Sequence, residues 1–295
     1  MWFFRKRKQA EGKILRNKKV KLGLALGGGG VRGIGHIGAI KALEELGLTF
    51  DFVAGTSAGS LVGALYAYGF NSKQMEEIVY SLKPKDIKKK NWFFMPSSTE
   101  NIEQTLKQIF KKDLVFSELN IPFTAVAVNI KNGKEVRISS GSVAKACCAS
   151  SAVPGVFKPV VYQQMHLVDG GLANNVPCDV VREMGANVVI AIDVNPNRGK
   201  GTDSLKLFSI MSSTVGVMMQ ANVENKLKFA DIVIIPALGE FSSSKLGDTK
   251  EMIKRGYDAV MARKDEIIEI VTNKPKIKDK IVWHISPSKK RKNRQ

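Results

Sequence analysis

The chain has 295 residues, 44% of them apolar, and a formal net charge of +19. That apolar share supports a sizeable core and excludes an intrinsically disordered chain, while the length fits one large α/β domain or two small ones. Three cysteines (Cys147, Cys148, Cys178) and three histidines (His36, His166, His284) fall in no ligand spacing. They exclude a disulfide framework and a zinc site, and point to a reducing compartment.

The first 21 residues hold nine Lys/Arg against Glu11 alone, behind the opening Met1-Trp2-Phe3-Phe4. Val20 to Leu26 then reads as a buried strand, Gly27 to Gly30 break it, and Ile34 to Leu46 reads as a helix stopped at Gly47. A second strand, Phe52 to Gly55, leads through Ser57 into a small-residue helix, Leu61 to Tyr68, closed by Gly69. Asn71 to Leu82 is predicted helical, followed by a lysine-rich stretch ending in Asn91-Trp92-Phe93-Phe94-Met95. Ser97 and Glu100 have capping-box spacing for a helix to about Phe110. Phe123–Asn129 and Val136–Ser139 flank Asn132-Gly133, a hairpin signal. A short helix near Ser142–Ala149 places Cys147 and Cys148 as small buried residues. Val188–Val194 and Ile232–Ile235 are further buried strands. Leu205–Phe229 is a long helical pattern whose methionines (Met211, Met218, Met219) suit core filling. Asp248 and Glu251 open one last amphipathic helix, ending near Val271. Strands alternating with helices predict an α/β fold with a mainly parallel sheet. One domain over residues 20–285, with a basic arm at 1–19 and a basic tail at 286–295, is the simplest organisation.

The charge is unevenly spread. Residues 1–21, 83–91 and 286–295 together carry all but about two of the nineteen net positive charges. Basic segments suit nucleic acid or anionic lipid. Trp-Phe-Phe triplets beside lysines favour the lipid interface over nucleic acid, with charge for phosphates and rings for the headgroup boundary. No apolar run approaches the roughly 20 residues of a membrane span. Gln9–Lys21 is too polar for the core of a signal peptide. The expected location is cytoplasmic, peripheral on the inner face of the membrane, with Trp92–Met95 as lid or anchor.

Gly55-Thr56-Ser57-Ala58-Gly59 sits between a strand and a helix, the layout of a nucleophile elbow. The serine occupies a turn too sharp for bulky neighbours, so glycine is required two places before and after. Upstream, Gly28-Gly29-Gly30-Val31-Arg32-Gly33 fits a dinucleotide fingerprint, but Asp51, the acid at the right separation, begins its strand instead of ending it. The other reading is an oxyanion hole built from the amides of Gly28, Gly29 and Gly30 beside Ser57, with Arg32 fixing the loop, capping a helix or meeting a lipid phosphate.

A serine nucleophile needs a base. His166 lies three residues before Asp169 on a predicted strand and faces away from it, and His284 adjoins the basic tail. His36, on the helix after the glycine loop, is the best-placed histidine, although a structural helix histidine explains it as well. Asp169 ends the apolar run Leu167-Val168 and precedes Gly170-Gly171, which give backbone room at a strand end. A dry pocket would raise the basicity of such a carboxylate. Together with the elbow and the glycine loop, Asp169 is the preferred partner.

Four segments carry a resemblance to the patatin-like phospholipase family, in particular the bacterial branch similar to the neuropathy-target-esterase catalytic domain. They are Leu24–Gly33, Gly55–Gly59, Ala149–Pro159 and Asp169–Pro177, within a region of about residues 22–195. The basic arm and the Lys-Lys-Lys-Asn-Trp-Phe-Phe insert match no family motif. The resemblance implies a three-layer fold with helices on both faces of the sheet. It implies a Ser57–Asp169 dyad working through an acyl-enzyme, an oxyanion hole in the glycine loop, and no metal or other cofactor. Arg32, Gly33, Gly55, Gly59, Gly170 and Gly171 are the supporting motif residues. The implied substrate is a fatty-acyl ester lipid, a phospholipid or lysophospholipid, with Pro154–Pro159 walling the acyl groove. Alternatives with the same residues are a lipid acyltransferase and a basic lipid-binding module without activity.

Overall fold

The computed structural model describes residues 16–81, 98–195, 207–243 and 247–273. Residues 1–15 of the basic arm, the lysine-rich stretch with Trp92–Met95, His284 and the basic tail lie outside them.

An eight-stranded mixed sheet organises the chain, with strand order β5-β6-β3-β2-β1-β7-β8 and β4 paired to β3. The strands are β1 (Leu22–Leu26), β2 (Phe52–Thr56), β3 (Phe123–Asn129), β4 (Lys134–Ile138), β5 (Val160–Tyr162), β6 (Met165–Asp169), β7 (Val188–Ile192) and β8 (Ile232–Ile234). β3, β2, β1, β7 and β8 are parallel, whereas β4, β5 and β6 join by antiparallel pairing. The parallel strands are nearly all buried on both faces, which is why they read as unbroken apolar runs in the sequence.

The helices are α1 (Gly35–Glu45), α2 (Ala58–Tyr68), α3 (Ser72–Ser81), α4 (Glu100–Phe110), α5 (Val143–Ser150), α6 (Cys178–Glu183), α7 (Leu207–Leu227), α8 (Thr249–Met261) and α9 (Lys264–Thr272). Alternation along β1 divides them into two layers. Leu22, Leu24 and Leu26 face one core with Ile37 and Ile40 of α1, Leu65 of α2 and Met252 of α8. Ala25 faces the other with Val180 and Val181 of α6 and Val223 of α7. Cys147, Cys148 and Cys178 are free and buried.

One local expectation needs correction. The last helix is two helices: Ala262 ends the first, and Arg263, which donates to the Val233 carbonyl at 3.2 Å and pairs with Glu266, caps the second. The second buries Ile267 and Val271 in the core. Ser97 of the expected capping box lies outside the described residues; α4 begins at Glu100, whose amide donates to Ser98 Oγ at 3.1 Å.

Candidate active site

β2 ends at Thr56, and Ser57 follows with φ 51° and ψ −124°, a left-handed conformation unusual for a residue with a side chain. Such a turn costs on the order of 1–3 kcal/mol and persists where its surroundings enforce it. The flanking glycines are forced by contact. A methyl group at Gly55 would lie 2.3 Å from the Gly59 carbonyl oxygen, and one at Gly59 would lie 2.1 Å from that of Leu26. Helix α2 therefore starts immediately at Ala58, pressed against the end of β1.

The strand register explains how Ser57 meets Asp169. β4 occupies one edge of β3 from Ala125 to Asn129. β2 and β6 must then share the other edge. β2 runs parallel to β3 and stops at the pair Thr56–Val126, while β6 runs antiparallel and stops at the pair Asp169–Ala127. The two strands meet head-on, and their next residues come together. The Asp169 carboxylate accepts the Gly171 amide at 2.7 Å and faces the Ser57 hydroxyl. Asp169 is 4% exposed. Burial pushes its carboxyl up to about 6, against the opposing pull of the Ser57 hydroxyl and the Gly171 amide. A methyl at Gly170 would lie 2.2 Å from the Val126 oxygen, so the Asp-Gly-Gly turn lies directly on β3.

The glycine loop leaves β1 beside this junction. Gly28 is close enough that a methyl on it would sit 3.1 Å from Ser57 Cβ. Gly28 is not available as the donor expected of it, because its amide donates to the Asn175 carbonyl at 3.0 Å. Among the described residues, no acceptor takes the amides of Gly29 or Gly30. Gly30 has φ 59° and touches the Ser243 backbone, so the loop has no room for a side chain there. Arg32 ties the loop down, donating to the Phe241 carbonyl at 2.8 Å and to Asn195 Oδ1 at 2.7 Å. Gly33 allows the loop to pack on Ala58, whose Cβ would lie 2.5 Å from a methyl there.

His36 stands apart from the dyad. It is buried on α1, its Nε2–H donates to the Gly27 carbonyl at 2.8 Å, and burial pushes it down to about 4. It is a neutral brace for the glycine loop. His166 lies on β6, three residues from Asp169, with its register partner Val161 on β5. Asp51 is at the opposite end of the sheet, where it accepts the Leu22 amide at 2.7 Å and pairs with Arg16 at 3.0 Å. Asp51 is therefore in no position to serve the glycine loop as a ribose-binding acid.

Several residues inside the segments that carry the family resemblance take roles the sequence reading did not assign to them. Ser150 Oγ accepts the Ser57 amide at 2.9 Å. Asn175 clips the glycine loop to the Asp169 turn, its Nδ2 donating to the Gly28 carbonyl at 3.2 Å. Thr56 Oγ1 donates to the Asn174 carbonyl at 2.7 Å. Asn174 Nδ2 donates to Asp179 Oδ1 at 2.7 Å, and Asp179 also takes Lys226 of α7 at 2.5 Å. Small polar residues beside a glycine motif are the only sequence signal for these roles, and that signal does not say which atom each one holds.

A family model of patatin-like phospholipases matches residues 24–182. The chain belongs to the patatin-like phospholipase family. Its relatives include patatin-like phospholipase domain-containing protein 6 of Homo sapiens, 35% identical over 184 residues, which covers 59% of this chain and 13% of the relative. Lysophospholipase nte1 of Aspergillus fumigatus is 35% identical over 189 residues, covering 59% of this chain and 12% of the relative. This patatin-like chain thus spans about an eighth of the length of the curated relatives it matches. VipD from Legionella pneumophila has the same fold, with a TM-score of 0.59 at 15% identity over 90% of this chain and 72% of that one.

Proposed function

We propose that this patatin-like chain hydrolyses fatty-acyl ester lipids, phospholipids or lysophospholipids, with Ser57 as nucleophile and Asp169 as its base. The observation that carries the reading is the meeting of β2 and β6 on β3, which sets the Ser57 hydroxyl against a buried carboxylate raised to about 6. Asp169 is then ionised at neutral pH yet a better proton acceptor than an ordinary aspartate. Ser57 Oγ attacks the ester carbonyl as Asp169 takes its proton. The tetrahedral oxyanion is stabilised by the Gly29 and Gly30 amides and by the open N-terminus of α2. Collapse expels the alcohol, which takes the proton from Asp169, and leaves the acyl group on Ser57. Asp169 then deprotonates water, whose attack releases the fatty acid and restores the serine. The name lysophospholipase on relatives such as that of Aspergillus fumigatus supports the substrate class.

The lipid would be met at an anionic membrane surface. No helix among the described residues is long and apolar enough to cross a membrane. α7, however, runs from Leu207 to Val223 without a charged residue, exposes Ile210 and Val217, and packs its Met219 on Gly171. An uncharged helix face beside the dyad, on a chain of net charge +19, suits an anionic interface.

The test is fatty-acid release from a lysophospholipid and from a soluble short-chain ester by the wild type, Ser57→Ala and Asp169→Asn. Loss of both activities in both variants supports the dyad. Retained turnover in Asp169→Asn would overturn it. Sedimentation with anionic and with zwitterionic vesicles tests the surface, and equal binding to the two would remove the electrostatic part.

A further inference from the structure

The dyad is held by two backbone hydrogen bonds that converge on one short segment. Ser57, at the cap of α2, has an amide with no place in a helix or strand ladder, and its buried turn leaves that amide without water. Ser150, the last residue of α5 and fully buried, accepts it at 2.9 Å. The same Ser150 hydroxyl donates to the Val126 carbonyl at 2.5 Å. Val126 is the β3 residue at which β2 ends, and Ala127, beside it, is where β6 ends. Two residues beyond Ser150, the Ala152 carbonyl accepts the Asp169 amide at 3.0 Å. Each member of the dyad therefore gives its own backbone N–H to the tripeptide Ser150-Ser151-Ala152.

On the dyad reading above, we propose that Ser150 is a positioning residue that sets the spacing between the Ser57 hydroxyl and the Asp169 carboxylate. One hydroxyl accepts from the nucleophile's amide and donates to the strand on which both halves of the site end. No backbone group could do both. Without it the left-handed turn at Ser57 loses a partner and relaxes toward ordinary dihedrals, swinging Oγ away from Asp169. A displacement of about 1 Å at a reacting group can cost on the order of 100-fold in rate. The Ser57 amide is also spent on Ser150, so the oxyanion must find its donors in the glycine loop and the first turn of α2.

The experiment is steady-state hydrolysis of a soluble short-chain ester across pH 4.5–8.5 by the wild type, Ser150→Ala, Ser150→Cys and Ser150→Thr, each with a melting curve. Ser57→Ala and Asp169→Asn run beside them. Ser150→Ala is expected to lower kcat about 10- to 100-fold with KM within about twofold, since the group acts through the reacting atoms and not on the bound substrate. The acid limb of its pH profile should move upward, because the Ser57 hydroxyl is one of the two groups that hold Asp169 down. Threonine keeps the hydroxyl and should restore most of kcat. Cysteine, similar in size but a weak hydrogen-bonding group, should fall between and provides the test if the alanine variant does not fold. Wild-type kcat and an unmoved acid limb in Ser150→Ala or Ser150→Cys would overturn the proposal, as would a fall in melting temperature with no change in the limb. Activity surviving in Ser57→Ala or Asp169→Asn would instead overturn the dyad, and the positioning role with it.

Discussion

The two ends of the parallel sheet are built on opposite plans. At the end where β1 and β2 finish, Thr56, Ser57, Ser150, Asp169, Asn174 and Asn175 are all buried and tied to one another or to the glycine loop, while the side-chain oxygens of Asn174 and Asn175 have no partner among the described residues. At the other end, Phe52 and Phe123, the first residues of β2 and β3, open on a cleft of about 550 Å³ with Phe116 and Met184. The polar cluster and the aromatic-lined cleft share no lining residue. Buried polar groups are costly unless paired, so a cluster of them marks where chemistry or specificity has been built, whereas an aromatic-lined cleft needs no such explanation.

The sharpest way to break this contrast is at the dyad. Ser57→Ala should reduce ester hydrolysis by about 10⁴-fold or more, and Asp169→Asn by about 10³-fold or more, as removal of such groups does in other serine hydrolases. Turnover by the wild type should rise with pH through about 6, where Asp169 becomes ionised. A flat profile between pH 5 and 8, read with a soluble ester under saturating conditions, would mean that Asp169 does not act as the base.

The same carboxylate makes a stability prediction of opposite sign. Its folded value of about 6 lies above the ordinary 3.8, so folding takes up a proton between those values. The contribution is favourable below about pH 4, is lost as the pH rises to about 6, and leaves a standing penalty above it. At about 1.4 kcal/mol per pH interval the penalty is on the order of 3 kcal/mol. Asp169→Asn should therefore melt higher than the wild type at pH 8 and lose that advantage at pH 4. Denaturation at the two pH values checks it, and equal shifts at both would remove the burial argument.

Asn175 tests whether the ties around the dyad matter as much as the dyad. Its Nδ2 reaches the Gly28 carbonyl, while its own backbone oxygen holds the Gly28 amide. Asn175→Ala removes only the side-chain tie and should cost about tenfold in kcat, close to the worth of one buried hydrogen bond.

How much of this was legible in the sequence follows from what each feature depends on. The elbow was legible because Gly55, Ser57 and Gly59 fall within five residues and Gly55 is forced by its backbone contact with Gly59, although the contact that forces Gly59 is with Leu26 on β1. The parallel strands were legible because burial on both faces leaves an unbroken apolar run. The head-on meeting of β2 and β6 was not. It is a consequence of β4 taking the far edge of β3, and no periodicity in either strand encodes its partner's register. Ser150 and Asn175 were hidden for the same reason, since each acts on residues far away in the chain, 93 positions for Ser150 and 147 for Asn175. The break between α8 and α9 was missed because neither Gly nor Pro marks it; Arg263 reaching for Val233 on the sheet makes it.

The smallest effect on activity is expected at the aromatic end. Phe116 is 9% exposed and stacks on Phe123 with ring centroids 5.8 Å apart and an interplanar angle of 10°. Phe116→Ala removes that contact from the wall of the cleft and should lower stability by about 3 kcal/mol, the usual cost of truncating a core phenylalanine. It lies beside the first residues of β2 and β3, away from the pairs Thr56–Val126 and Asp169–Ala127, so the register that brings Ser57 and Asp169 together is left in place. Hydrolysis of a soluble ester at 25 °C should stay within about twofold of the wild type while the melting temperature falls, because sites without shared contacts are close to additive. A large drop in kcat with the fold intact would show that the cleft reaches the chemistry along β2 and β3, and the two ends of the sheet would have to be treated as one site.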